Sequence, residues 1–331
     1  MEIRDSDKCG APTDKCEPDR GHEAELFQSR DARFQALLET ARRAAVSDAT
    51  ILITGESGTG KAVLARQIHR WSARRERPYV VVNCATLTEQ LAENELFGHV
   101  RGAFTGAVSD KAGRFETADG GTIYFDEVTE LRPVLQAKLL RFIEERSFER
   151  VGGTRTVKVD VRIVAATAHN LEAEVAGGRF REDLQYRLKV IELVLPPLRE
   201  RSADILILAK CILREISQKM PRPELDLSPA AVEALASYRW PGNLRELHNA
   251  LERAAILSRN EVITAEDLPE NIYKCRVPLH ASCASATRLK DVEREHILRA
   301  LAESRTLANA AGALGINVTT LWRKRKRYGL I

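Results

Sequence analysis

Gly55-Glu56-Ser57-Gly58-Thr59-Gly60-Lys61 places three glycines and a lysine at the spacing of a phosphate-binding loop. Glycines let successive backbone N–H groups curl around phosphate oxygens, a following helix adds positive potential, and the lysine reaches the β- and γ-oxygens. The run follows the apolar stretch Ile51–Thr54 and precedes a helical stretch, Ala62–Trp71, so the loop has the strand-before, helix-after setting that this chemistry needs. Ala62 stands where the generic pattern has Ser or Thr for Mg²⁺, so metal ligation shifts to another group. A second apolar strand, Gly120-Gly-Thr-Ile-Tyr-Phe, ends in that group: Asp126 is placed to hold Mg²⁺, and Glu127 to polarise water attacking ATP. Between the two lies Gly102-Ala103-Phe104-Thr105-Gly106-Ala107, whose glycines permit a tight reversal. An exposed Phe there does not serve the core and suggests a contact surface, although a plain hairpin tip fits the residues as well.

Five short β-branched or aromatic runs position these groups: Ile51–Thr54, Tyr79–Asn83, Thr122–Phe125, Val161–Ala166 and Val190–Leu195. Helical stretches separate them, which predicts an α/β domain with a mainly parallel sheet and helices on both faces. Leu26, Phe34, Leu37, Leu38 and Ala41 predict a leading amphipathic helix. Pro196-Pro197 ends the alternation, and residues 198–272 read as helices only, with a new helix after Trp240-Pro241-Gly242. The expected divisions are a disordered polar tail over 1–24, an α/β part over 25–197, a helical part over 198–272, a linker over 273–287 and a small all-α domain over 288–331.

With 331 residues, 44% hydrophobic and 30% charged, the chain has material for two or three domains. Ten Lys/Arg stand against four Asp/Glu between Arg288 and Ile331, although the whole chain carries only +4. A basic C-terminus on a nearly neutral body implies a polyanionic partner there. No apolar stretch approaches the roughly 20 residues that span a bilayer, and the first residues contain no apolar signal segment. A cytoplasmic location is expected. The six cysteines are scattered without a Cys-x-x-Cys pair, so no metal or disulfide role is expected for them.

In the last segment, Leu289, Val292, His296 and Ala300 share one helical face, and Leu307, Ala310, Ala311 and Leu314 a second. Gly315-Ile316-Asn317 makes a turn with Asn317 as N-cap, and Val318–Tyr328 carries the basic run Arg323-Lys-Arg-Lys-Arg327. This pattern fits a helix-turn-helix whose last helix enters the DNA major groove. Thr319, Thr320 and Arg323 are candidates for base contacts; Lys324, Lys326 and Arg327 for phosphate contacts.

Taken together, these motifs resemble the bacterial enhancer-binding proteins, AAA+ ATPases that activate sigma-54 RNA polymerase and carry a GAFTGA loop. Glu95-Leu-Phe-Gly98, Gly113-Arg-Phe-Glu116, Gln136-Ala-Lys-Leu-Leu140 and Leu195-Pro-Pro-Leu-Arg-Glu-Arg201 extend the resemblance over about residues 26–331. It implies a AAA+ domain with a helical lid and a Fis-type helix-turn-helix, working as a homo-oligomer, with a hexamer expected. The implied output is ATP-driven conversion of the sigma-54 RNA polymerase holoenzyme from closed to open complex, from an upstream DNA site. By the same resemblance Asn83 bonds the catalytic glutamate, Thr167 lies in sensor I, and Arg245 is sensor II. Arg181 and Arg187 reach the γ-phosphate of a neighbouring subunit. Phe104 and Thr105 touch sigma-54, supported by a second loop near Thr129–Gln136.

Four residues depart from the family pattern: Ala62, Ala168 after Thr167, Val318 where a basic residue is common, and Arg325 where Leu is usual. The polar N-terminal residues are too few for a receiver domain, which suggests control by a partner protein in trans or by expression level. Two other readings stay open: a AAA+ remodeller with a different client, and a DNA-binding protein that uses ATP only to assemble.

Overall fold

The computed structural model describes residues 27, 29–87, 89–220, 225–258, 260–273, 293, 297–298, 300–301, 306–328 and 330. The expected disordered tail, the linker beyond Tyr273 and most of the first C-terminal helix lie outside these residues. Residues through Cys275 form one compact unit and Arg276–Ile331 another.

The first unit begins with α1 (Ala32–Ala45), β1 (Ile51–Thr54), α2 (Lys61–Trp71), β2 (Tyr79–Asn83) and α3 (Glu89–Phe97). A small hairpin follows, β3 (Gly98–His99) and β4 (Lys111–Ala112), then α4 (Arg114–Thr117), β5 (Thr122–Asp126) and α5 (Pro133–Glu145). A second hairpin, β6 (Ser147–Glu149) and β7 (Thr156–Lys158), precedes β8 (Arg162–Thr167), α6 (Leu171–Ala176), α7 (Glu182–Leu188) and β9 (Ile191–Val194). The lid region holds α8 (Ile205–Lys219), β10 (Asp226–Leu227), α9 (Pro229–Ser237), α10 (Asn243–Leu257), β11 (Val262–Ile263) and α11 (Glu270–Tyr273).

The main sheet has the order β2-β5-β8-β1-β9, every pairing parallel. Side chains alternate across it. Leu52, Val80, Val82, Ile123, Phe125, Ile163 and Ala165 pack toward α3, α4, α5 and α7. Ile51, Ile53, Tyr124, Val164, Ala166 and Leu193 pack toward α1 and α2. Leu135, Leu139 and Phe142, one face of α5, bury against the first set, with the Phe142 and Phe115 rings 3.8 Å apart. Removing either ring would cost about 3–5 kcal/mol.

Helix ends follow local chemistry. Asp31 caps α1 by accepting from the Phe34 amide at 2.9 Å, which starts this helix at Ala32; the expected helical stretch ahead of Phe27 lies outside the described residues. The chain ahead of it is held by Asp204, which accepts from Ser29 Oγ at 2.5 Å and the Arg30 amide at 2.8 Å. At the other end of α1, buried Arg162 donates to the carbonyls of Ala45 at 2.7 Å and Ala44 at 2.8 Å. A cation over the final carbonyls complements the helix dipole.

The lid is not helices only. Asp226–Leu227 and Val262–Ile263 pair in parallel, runs of two residues too short to leave an alternation in sequence. Its core gathers Ile205, Leu208, Ile212, Leu235, Leu247 and Leu251 around fully buried Trp240, whose indole N–H donates to Leu235 O at 2.9 Å.

In the second unit, α12 (Leu307–Ala313) and α13 (Val318–Arg327) close on Ile297, Ala310, Ala311 and Leu321. Asn317 caps α13, as expected, accepting from the Thr319 amide at 3.4 Å and its hydroxyl at 3.1 Å. Among the described residues, no helix is long and apolar enough to cross a membrane.

Candidate nucleotide site, contact loop and DNA reader

The loop between β1 and α2 turns through three glycines with positive φ, Gly55 at 152°, Gly58 at 79° and Gly60 at 100°. Lys61 folds back across it, Nζ lying 3.0 Å from Gly55 O and 3.4 Å from Glu56 O. The same ammonium lies 3.3 Å from Glu127 Oε1. Glu127 sits just past β5 with φ 52°, a left-handed conformation that costs a non-glycine residue of order 1–3 kcal/mol. Its other oxygen, Oε2, accepts from the Ala168 amide at 2.7 Å. Position 168 therefore meets Glu127 through its backbone, a bond that does not depend on the side chain there. Thr167, at the end of β8, shares a hydroxyl contact of 2.9 Å with Thr129.

Asp126 stands in register with Asn83 on the neighbouring strand. Its Oδ1 accepts from the Tyr124 hydroxyl at 2.8 Å, since residues two apart on a strand share a face. Burial, followed by the Asp126 charge, pushes the Tyr124 phenol up, so it stays a donor. Asn83 does not reach Glu127 through the bond expected of it. Its Oδ1 caps the turn after β2, accepting from the Ala85 amide at 3.1 Å, while Glu127 takes Lys61 and Ala168 instead.

The lid meets the phosphate loop directly. Arg245 donates to Ser57 Oγ at 2.9 Å, and Arg199 holds Glu56 by two bonds of 2.8 and 2.6 Å. Arg199 holds the Glu56 carboxyl below its ordinary range against the cost of desolvation, and Asn243 adds a smaller pull in the same direction as Arg199. Sequence reasoning missed Asn243 and Arg199, because neither lies in the glycine motif and both arrive from about 140 residues or more downstream.

Arg181 and Arg187 are not brought to this loop within the chain. Arg181 pairs with Asp183 at 2.7 Å and Arg187 with Glu144 at 2.9 Å, both on exposed surface. Tyr186, on α7 between them, is 69% exposed.

The Gly102–Ala107 loop projects from the β3–β4 hairpin and closes on itself, the Gly102 amide donating to Ala107 O at 2.9 Å. Gly102 and Gly106 have φ of 82° and 111°, and a Cβ on either would meet nothing within 4 Å. Ala103 lies against Gly152, Ala107 is buried, and Thr105 is exposed. Phe104 is 40% exposed with its ring edge-on to His99 at 5.0 Å. Support does not come from 129–136 as expected. It comes from 150–153: Val100 N donates to Val151 O at 3.2 Å and Val151 N to Gly98 O at 2.9 Å. Residues 129–136 turn instead toward Thr167 and the 179–181 segment, where Gln136 accepts from the Arg181 amide at 2.9 Å and donates to Arg179 O. The Gly152-Gly153 pair was the available signal: a Cβ at 152 would come within 2.7 Å of Ala103 Cβ.

On α13, Thr319, Thr320, Arg323, Lys326 and Arg327 are exposed. Lys324 is instead drawn into an ion pair with Glu293, which also accepts from Tyr328. Arg325 is half-buried and donates to Leu330 O at 3.2 Å, so its guanidinium turns toward the chain end rather than outward.

A five-stranded parallel sheet with a glycine phosphate loop, an acidic strand end and a helical lid defines a AAA+ ATPase. Residues 27–194 match the sigma-54 interaction domain, 199–282 the AAA+ ATPase lid domain, and 288–328 the Fis family of bacterial regulatory proteins. The chain belongs to the sigma-54-dependent transcriptional activators. It is 50% identical over 310 residues to the alginate biosynthesis transcriptional regulatory protein AlgB of Pseudomonas aeruginosa, covering 92% of this chain and 68% of that protein. It is 46% identical to the transcriptional regulatory protein ZraR of Salmonella typhimurium, covering 89% and 67%. The crystal structure of NtrX from Brucella abortus in complex with ATP superposes with a TM-score of 0.68 at 36% identity, covering 91% of this chain and 69% of that one.

Proposed function

We propose that this ATPase assembles as a ring, hexameric in the simplest form, binds DNA upstream of its promoters, and drives the sigma-54 holoenzyme from closed to open complex through the Gly102–Ala107 loop. The observation that carries the reading is Glu127, engaged at once by Lys61 of the phosphate loop and by the Ala168 amide at the end of β8. ATP phosphates lie on the amides of Gly55–Ala62, with Lys61 on the outer oxygens. An anion there competes with Glu127 for Lys61, so Glu127 becomes free to orient water as phosphate binds.

Asp126 is the carboxylate for Mg²⁺, and with no hydroxyl at Ala62 the remaining ligands are phosphate and water oxygens, a hard-oxygen set that suits this ion. Bound there, Mg²⁺ supplies charge neutralisation at the transferring phosphoryl group. Arg245 and Thr167 report on nucleotide from within the chain. Asn83, beside Asp126 in the sheet, couples nucleotide state to the loop.

Arg181 and Arg187 act on the nucleotide of the next subunit. Their exposed ion pairs, the bare Tyr186 between them, and the uncovered Val190 and Val194 at the β9 edge support an oligomeric face there. Phe104 and Thr105 contact sigma-54; Thr319, Thr320 and Arg323 read bases, while Lys326 and Arg327 hold phosphate. Lys324 reaches phosphate only by leaving Glu293. Such a reader works in the cytoplasm, on the chromosome, and a regulatory protein acting in trans is the proposed control.

The test is open-complex formation on a sigma-54 promoter with purified chain and ATP, beside Thr105→Ala. Opening by the wild type and not by the variant supports the reading. ATP turnover without opening, with purified holoenzyme in excess, points to another client or to the absent trans-acting regulator.

A further inference from the structure

The turn that starts α10 is built from unusual backbone. Trp240 has φ 54° and Asn243 φ 51°, two left-handed non-glycine residues within four positions. Asn tolerates this region better than most residues, so conformation alone gives one reason for Asn243. Its side chain gives another. Fully buried, Asn243 accepts from the Leu198 amide through Oδ1 at 2.7 Å. Its Nδ2 donates to Ser57 O at 3.0 Å and to Glu56 Oε2 at 3.3 Å. Because the Leu198 amide can only donate, it fixes which end of the carboxamide is oxygen, and both donors must then face the phosphate loop. One side chain thus ties three segments: the sheet-to-lid connection, the phosphate loop and the first turn of the lid helix.

The backbones meet at the same place. The Leu244 amide donates to Gly58 O at 2.9 Å, and a Cβ at Gly58 would lie 2.3 Å from Gly242 O. Arg245, two residues after Asn243, bonds Ser57 Oγ, and Arg199 covers the outer side of Glu56.

We propose that Asn243 is the positioning residue that makes the shape of the phosphate loop depend on the seating of the lid. Through it the Ser57 carbonyl and the Glu56 carboxylate are held to α10, which keeps the neighbouring loop amides directed at phosphate and Arg245 aimed alongside them. The inference rests on the nucleotide site proposed above. It adds that nucleotide affinity is set by a buried amide outside the glycine motif, one that touches no phosphate.

Two variants separate this from a purely conformational role. Asn243→Gly keeps the left-handed turn and deletes the carboxamide. Asn243→Asp keeps both the turn and the acceptor for Leu198, but replaces the donors with a carboxylate facing Glu56. Adding Glu56→Gln to the latter restores a donor–acceptor pair with residue 56, while the Ser57 carbonyl remains without its donor. Binding of a fluorescent ADP analogue to the full chain is measured, with thermal melting alongside and Glu56→Gln alone as control.

The expected result is at least about tenfold weaker binding for each Asn243 variant, with only part of it recovered in Asn243→Asp/Glu56→Gln, because the Ser57 carbonyl stays without its donor. Wild-type affinity in Asn243→Asp overturns the inference, because the turn alone then suffices. Binding that Glu56→Gln leaves wholly unimproved in Asn243→Asp also overturns it, since the contact to residue 56 is then not what is read. Failure of the wild-type chain to bind the analogue would instead reject the nucleotide site itself.

Discussion

The Tyr124 hydroxyl donates to Asp126 Oδ1 at 2.8 Å, from a phenol fully buried beneath the sheet. That bond occupies one of the two carboxylate oxygens. Partners behind a metal-ligating carboxylate fix its orientation, and losing one typically costs 10- to 100-fold in metal affinity or activity. Tyr124→Phe is expected to raise the Mg²⁺ concentration for half-maximal ATP turnover by about tenfold. Titrating Mg²⁺ at saturating ATP checks this, and an unchanged midpoint would show that Asp126 needs no second support.

Gly152 offers a way to damage the contact loop while sparing the nucleotide site. It has φ 74°, and a Cβ there would approach Ala103 to 2.7 Å. Gly152→Val should leave ATP turnover within about twofold while open-complex formation falls by tenfold or more, since loop and loop-bearing hairpin share this contact. Equal loss of both activities would mean the distortion spreads to the sheet.

Arg162 is buried, with two donors committed to the last carbonyls of α1. Arg162→Met removes both bonds while filling much of the volume, taking the guanidinium donor from Ala45 O and leaving Ala44 O to the Ser47 amide and hydroxyl. A loss of about 2–4 kcal/mol is expected, read as a lower denaturation midpoint. A change under about 0.5 kcal/mol would show that the helix end finds other donors.

His69 is buried between Thr122, at 2.9 Å from Nδ1, and the Tyr79 ring, at 5.1 Å. Burial first, then the Arg162 charge, pushes its pKa down to about 4, from an ordinary value near 6.5. Between those values the unfolded chain binds more protons than the folded one. The contribution of His69 is therefore complete above pH 6.5 and is lost as pH falls toward 4. It amounts to about 3 kcal/mol. Denaturation midpoints from pH 7 to 4.5 should fall less steeply in His69→Gln than in the wild type, and parallel curves would refute the assignment.

On α13, exposed Arg327 and paired Lys324 should behave differently. Arg327→Ala is expected to reduce the slope of log affinity against log salt by about 1. Lys324→Ala should lower the melting temperature of the Fis-type domain while changing the slope less, because Glu293 already neutralises it. Equal slopes for both variants would place Lys324 on phosphate in the complex.

Much of this was legible along the chain. The strands were visible because each is a short β-branched or aromatic run between turn residues, and β1 and β2 fall where the runs fall. Gly55–Lys61 and Asp126-Glu127 were visible because their chemistry is local. What stayed hidden is carried by contacts distant in sequence. Asn243 reaches a loop 186 residues upstream, and its left-handed conformation leaves no periodic mark. The brace at 150–153 is similar: Gly152-Gly153 reads as a turn until Ala103 is found beside it. Asn83 was ambiguous for a different reason, since an Asn ending a strand can cap the next turn or reach across, and here its Oδ1 caps the turn.

The Gly102–Ala107 loop is closed by its own backbone bonds, and the chain beside it is pinned where the Arg101 amide meets Asp110 at 2.7 Å. Its two glycines press on nothing. The segment leans outward on His99 and on the 150–153 brace, so an exchange of residues 100–110 between related ATPases would have to carry Gly152 and Gly153 with it.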